Sequence, residues 1–201
     1  MSDDTRTRML DAAYELMISQ GYAATGVGDI CKRAGVSKGS FYHFFKTKQH
    51  CALEMLRHHM AEAEQIIEGG LDLAGLDGVE AALRYVEHIE QLSGELFQQG
   101  CLIGAFALEL AETHPELQQE VSQIFSAITD RYEQVLAPVA AACRRSNSPT
   151  ARELAEHMLT IIEGSVVLSK AHRNVGRVAE GLRMFRRYLE AICAYDSASS
   201  S

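Results

Sequence analysis

Lys38, Gly39, Ser40, Tyr42, His43, Phe44, Lys46 and Lys48 crowd into one short stretch and together offer the chemistry of a nucleic-acid contact. Ammonium groups neutralise phosphates, small residues let the backbone approach, and outward aromatic rings are costly in water unless they meet a partner. Cys101 suggests a different chemistry. It follows Gly100 where a helix begins, and a helix N-terminus lowers a thiol's pKa and makes thiolate available for electrophiles or oxidants. A buried small hydrophobe is the ordinary alternative for a cysteine. Glu54, His58, His59 and Glu62 lie within two helical turns, and His58–Glu62 is an i,i+4 pair of metal-ligand type. On a polar helix such a set is usually a solvated face, so no metal and no cofactor are expected. The sequence holds no HExxH, no Glu-x-x-His pair and no P-loop, so an enzyme is not expected either. A helical-bundle enzyme and a protein-interaction bundle stay as rival classes.

The elements that must position these residues read as helices almost everywhere. Met9, Leu10, Ala13, Leu16 and Met17 mark one face of a first helix, with Asp4 or Thr5 as its cap and Gly21 after its end. Val27, Ile30, Cys31 and Ala34 give a two-turn second helix stopped by Gly35, and Ser37 caps a third running through Phe45. The pair, within about residues 27–45, has the form of a helix-turn-helix, whose second helix enters the major groove. Val36, Phe41 and Phe45 would anchor it from behind. A helical hairpin within a bundle gives the same pattern, but the outward aromatics and basic flanks argue against that.

Further along, Thr47 caps a long fourth helix, about 48–68, with Leu53, Leu56, Met60, Ala63 and Ile67 as its buried stripe. A glycine-rich loop precedes helix five, roughly 78–98, with Ala81, Tyr85, His88 or Ile89, and Leu92 on one side. Helix six is expected from Cys101 to about Thr113. Helix seven starts at Pro115, with Pro138 expected to kink its last turns. Helix eight is expected to be capped by Ser148, and helix nine by Asn174. The expectation is an all-α chain of about nine helices, with a reader over 1–48 and a second domain over 49–201.

Taken whole, the formal net charge of −8 argues against a nucleic-acid partner. It is unevenly spread: residues 1–60 hold eight Lys and Arg against six Asp and Glu, and the rest holds 11 against 21. A mildly basic reader joined to an acidic remainder is therefore expected. No apolar run reaches the roughly 18 residues of a membrane span, and the acidic start is unlike a secretory signal. Five widely spaced cysteines without a CxxC suggest reduced thiols, so a cytoplasmic protein without a membrane partner is expected.

Residues 21–48, GYAATGVGDICKRAGVSKGSFYHFFKTK, resemble the DNA-binding signature of the TetR family of transcriptional regulators. Gly26 departs from the Ser or Thr that many relatives carry at the cap of helix two, and Thr25 is expected to compensate for the lost hydroxyl. The resemblance implies that Lys38, Gly39, Ser40 and His43 face the major groove of a double-stranded operator. Thr25, Tyr42 and Lys48 would hold its backbone. Gly26, Ser37 and Phe44 complete the expected DNA-facing set.

The same resemblance implies a small-molecule effector enclosed by helices four to seven, with Met55, His59, Tyr85, His88, Phe97, Cys101, Phe106, Phe125 and Tyr132 as candidate lining. For each of these, plain core packing is a simpler explanation than ligand contact. Glu109 is odd among the apolar neighbours of LIGAFALEL, and would face solvent or cap a neighbouring helix. Gly100–His114 resembles a branch of the family that includes sensors of electrophiles and aldehydes, which implies a sensing role for Cys101. Leu154, Met158, Ile161, Ser165 and Leu168 on helix eight, with Leu182, Phe185 and Leu189 on helix nine, form seams that suit intrachain packing or a second copy. Family members are homodimers through these helices, which favours the second copy. The expected function is therefore a ligand-responsive regulator, a repressor more than an activator.

Overall fold

A computed structural model describes residues 2–143 and 148–198. Among the described residues it is all α-helical, with nine helices and no strand. They are α1 (Ser2–Gln20), α2 (Val27–Ala34), α3 (Lys38–Phe44), α4 (Lys48–Gly69), α5 (Gly78–Leu96), α6 (Leu102–Leu110), α7 (Pro115–Ala142), α8 (Ala151–His172) and α9 (Arg177–Ala198). The chain divides into two compact units. One comprises the chain up to Gln65 together with Cys101–Ile124; the other comprises Ile66–Gly100 and the chain from Phe125 onward. α4 begins at Lys48 and the first unit runs on to Gln65, so the packing division does not fall at the boundary expected after residue 48.

In the first unit α1 buries Met9, Leu10, Ala13 and Met17, with α2 and α6 packed against it. α1 starts at Ser2, and Asp4 and Thr5 lie inside it rather than capping it. Arg8 reaches back one turn to both, 3.5 Å from the Asp4 carboxylate and 3.4 Å from the Thr5 hydroxyl. Thr47 caps α4 as expected, its hydroxyl accepting from His50 N at 3.0 Å. The buried side of α4 is Cys51, Ala52, Met55 and Leu56. Of the expected stripe only Leu56 is fully enclosed; Leu53, Met60, Ala63 and Ile67 are half-buried. The small side chains of Cys51 and Ala52 let that side lie deepest, which rotates the stripe. α6 buries Leu102, Ile103, Phe106 and Leu110. It ends at Leu110, short of Thr113, because the Thr113 and His114 amides both turn back to the Leu110 carbonyl.

In the second unit α5 and α8 both pack on α9. Asp77 caps α5 by accepting from Val79 N and Glu80 N, while Glu80 accepts from Asp77 N, a reciprocal capping box. Its inward residues are Ala82, Tyr85, Val86, Ile89 and Ser93, so the register is one residue away from the expected Ala81 and Leu92. α7 continues through Pro138 without ending there. α8 is capped by Thr150, not Ser148: Thr150 Oγ1 accepts from Glu153 N at 3.2 Å and Glu153 returns to Thr150 N at 2.8 Å. The Thr-x-x-Glu pair satisfies two amides, whereas Ser148 has Ala151 three residues on, which cannot return a bond to the cap. Asn174 does not cap α9, which begins at Arg177. Its side chain accepts from Gly176 N at 3.0 Å in the connecting turn.

α8 and α9 approach closely at Gly181. A Cβ there would stand 2.6 Å from Ser165 Oγ and 2.9 Å from Ile161 Cγ2. Leu154, Met158, Leu182, Phe185 and Leu189 are all at most 1% exposed within the single chain. Those five of the expected seam residues are enclosed within the chain's own core, whereas Ile161 and Ser165 are half-buried and Leu168 is exposed.

Candidate nucleic-acid interface

The turn between α2 and α3 is built on Gly35, at φ 67° and ψ 38°, a left-handed geometry that a side chain disfavours. Val36 N donates to Cys31 O at 2.9 Å and Gly35 N to Lys32 O at 3.4 Å, closing α2 in a Schellman pattern. Ser37 then caps α3: its hydroxyl accepts from Ser40 N at 3.1 Å and lies 3.0 Å from Ser40 Oγ. At the start of α2, Gly26 N donates to Asp29 Oδ2 at 3.0 Å, and this acidic residue in the first turn complements the helix dipole.

This framework sorts the side chains of α3 into two faces. Phe41 and Phe45 are 0% and 1% exposed, with ring centroids 5.4 Å apart, and fix the helix from behind. Val36, also expected as an anchor, is half-buried. Tyr42 is 57% exposed, and Lys38, Gly39, His43 and Lys46 are exposed beside it, with Ser40 and Phe44 half-buried. A Cβ on Gly39 would meet only Ser37 Oγ, at 3.6 Å, so nothing within the chain requires a glycine there. Lysines, an outward tyrosine and a bare backbone on one face match the contacts that hold a DNA duplex.

Two expected backbone contacts are built differently. Thr25 is 0% exposed; its hydroxyl donates to Gly21 O at 2.7 Å and accepts from Gln20 Nε2 at 3.3 Å. It closes the connection from α1 to α2 and cannot replace a hydroxyl lost at Gly26. Lys48 donates from Nζ to Tyr22 O at 2.8 Å and lies 4.0 Å above the Tyr22 ring. Partial burial lowers its pKa, opposed by the nearby Glu109 carboxylate. Any phosphate contact by Lys48 therefore has to use its remaining hydrogens.

Glu109 has the partners that its apolar neighbours called for. Its carboxylate accepts from Tyr22 N at 2.9 Å and Ala23 N at 2.7 Å, so α6 is clipped to the corner after α1. Sequence reasoning singled out Glu109 as anomalous but could not name amides so remote in the chain.

The candidate pocket residues divide between the two units. In the first, Met55 and Phe106 are core, Phe106 meeting Tyr22 edge-on at 5.9 Å between ring centroids. His59 stacks on Tyr14 at 4.1 Å, and Cys101 caps α6, its sulfur accepting from Gly104 N at 3.5 Å. In the second, the rings of Tyr85 and Tyr132 meet at 6.3 Å, and His88 Nε2 lies 2.9 Å from Ile67 O. Phe97 and Phe125 are half-buried. Phe106 and His88 are thus engaged in packing and in a backbone contact, respectively. Among the described residues no helix is long and apolar enough to cross a membrane.

Two family models match the chain. The one described as bacterial regulatory proteins, tetR family, covers residues 9–55; the one described as transcriptional regulator LmrA/YxaF-like, C-terminal domain, covers 78–179. The transcriptional repressor DhaR of Mycobacterium sp. is 27% identical over 84% of this chain and 84% of its own length. The HTH-type transcriptional regulator Rv0196 of Mycobacterium tuberculosis is 30% identical, over 85% of this chain and 86% of its own length. A crystal structure of a TetR transcriptional regulator from Chloroflexus aurantiacus shares the fold, with a TM-score of 0.79 at 21% identity over 94% of this chain and 96% of the other. With both segments matched in order, the chain belongs to the TetR family of bacterial transcriptional regulators.

Proposed function

We propose that this protein acts as a cytoplasmic homodimeric repressor, held on a palindromic operator and released by a small-molecule effector taken up in the α4–α7 region. The observation that carries the DNA-reading part is the two-faced α3, with Phe41 and Phe45 locked inside and Tyr42 turned out among Lys38, Gly39 and His43. Lys38, Gly39, Ser40 and His43 read base edges, and Tyr42 and Lys46 hold phosphates. The effector works by population shift, favouring dimers whose two recognition helices miss successive half-sites.

The test is an electrophoretic shift with the DNA flanking its own gene, at matched salt. Tyr42→Ala is expected to weaken binding at least about tenfold (~1.4 kcal/mol) on every sequence tried. Ser40 and His43 variants are expected instead to change which sequence is preferred. Retention of full affinity by Tyr42→Ala removes this reading.

A second reading rests on Cys101, a half-exposed thiol whose sulfur caps α6. Modification of that sulfur would add bulk at the cap and link electrophiles to α6. Cys51 is the internal control: it is buried, and burial pushes its thiol up to about 12. Its thiolate is therefore scarce until the pH nears that value, and only the thiolate is nucleophilic. At pH 7 a mild alkylating agent followed by peptide mass mapping is expected to label Cys101 and spare Cys51. An unlabelled Cys101, or undiminished operator binding after labelling, discards the sensor reading.

A further inference from the structure

Away from the α3 face, α1 and α4 bring four titratable side chains to one point. His58 Nε2 lies 3.3 Å from Glu62 Oε1, one turn further along α4, and 3.8 Å from Asp11 Oδ1 on α1. His59 reaches the same two carboxylates, with Nδ1 3.0 Å from Glu62 Oε2 and Nε2 3.8 Å from Asp11 Oδ1. His58 Nε2 is shielded from water yet has no hydrogen bond of proper geometry, although it faces two oxygens. One ligand atom each from Asp11, His58 and Glu62 falls within 4.8 Å of the others.

The charges around this point differ from those elsewhere on α4. Glu54 is paired with Arg6 and Arg57. Among the described residues, the ion contacts of Asp11 and Glu62 are with the two histidines alone. With neutral imidazoles, two carboxylates converge there without a fixed cation. Such a cluster is completed by a positive ion that accepts one imidazole nitrogen and two carboxylate oxygens.

We propose that Asp11, His58 and Glu62 form a binding site for a divalent first-row transition-metal ion of the Zn²⁺ class, linking α1 to α4. Metal–nitrogen and metal–oxygen bonds of about 2.0–2.2 Å in a tetrahedron set ligand atoms roughly 3.3–3.6 Å apart. The His58–Glu62 separation already has that value; Asp11 stands 3.8 Å from His58 and within 4.8 Å of Glu62, so its carboxylate moves inward to close the site. An imidazole with two carboxylates suits Zn²⁺ and its neighbours better than thiolate-seeking Cu⁺. Three protein ligands leave the fourth position to water. His59 stacks on Tyr14 and contacts Glu62, which orients the ligating carboxylate from behind. The spacing on α4 shows the His–Glu pair in the sequence; Asp11, on another helix, comes from the fold.

The test uses the full-length, tag-free protein, first stripped with chelator, then titrated with Co²⁺ followed by visible absorption and with Zn²⁺ followed by calorimetry. One ion per chain and a Co²⁺ d–d band are expected. Asp11→Asn, His58→Gln and Glu62→Gln are each expected to raise the half-saturation concentration at least tenfold. All three positions are partly exposed, so far-UV circular dichroism should match wild type. His157→Gln, in the other unit, is expected to leave uptake unchanged. No saturable uptake below about 1 mM, or uptake that the three variants leave unaltered, overturns the proposal.

Discussion

Thr25 and Tyr42 were expected to do the same thing, hold the DNA backbone, and the structure gives them opposite environments. A buried hydroxyl must find its partner inside, and Thr25 finds it at Gly21 O, whereas Tyr42 is 57% exposed and meets Phe41 only edge-on at 5.5 Å between ring centroids. Residue type and spacing fixed where both lie in the sequence but not their depth, because depth depends on how the α1–α2 connection folds back. Thr25→Val keeps the shape and leaves the Gly21 carbonyl without its donor. The expected cost is about 1–2 kcal/mol of stability. Operator affinity of the folded protein should keep the salt slope of wild type, since no phosphate contact is lost. Urea unfolding and a salt series of shift assays check the two parts. A reduced salt slope in Thr25→Val would return it to the DNA-contacting set.

At the scale of elements, helix existence was legible throughout and helix faces only in part. Caps are local, so Ser37, Thr47 and Pro115 were readable, whereas Thr150 took the place of Ser148 because a reciprocal Thr-x-x-Glu pair outweighs a lone serine. The α6 clip is the clearest case of information the sequence holds back. Glu109 stands out as a carboxylate in an apolar run, yet its two amide partners are 87 and 86 residues earlier. Lys48 completes the corner from the other side through Tyr22 O. Glu109→Ala removes two charge-assisted hydrogen bonds at a partly exposed site, for an expected loss of about 1 kcal/mol. The more specific expectation is faster hydrogen exchange at the Tyr22 and Ala23 amides than at the α1 core, read by NMR. Unchanged protection at those two amides would show that α6 does not hold the corner.

For the whole molecule, the net charge of −8 conceals a reader whose first 60 residues carry a margin of only two positive charges. So small a margin gives weak electrostatic binding from one copy, and two linked readers on successive half-sites, roughly 34–36 Å apart, raise affinity without any new contact. Dimerisation is typical of the family, and Leu154, Met158, Leu182, Phe185 and Leu189 are enclosed within the chain, so a second copy docking on these helices would meet their outward faces. Val167 and Leu168 on α8 and Met184 and Tyr188 on α9 are exposed apolar residues there, Val167 at 59% and Met184 at 61%. A charge at Phe185 or Leu189, each at most 1% exposed, would test folding rather than assembly. A charge at an outward position separates the two. Val167→Glu combined with Met184→Glu is expected to keep the far-UV spectrum and melting temperature within a few degrees of wild type, yet elute as a monomer by light scattering. Operator binding at physiological salt should then fall by about a hundredfold or more. A double variant that remains dimeric places the interface elsewhere; a monomer that still binds the operator at full strength shows that one reader suffices.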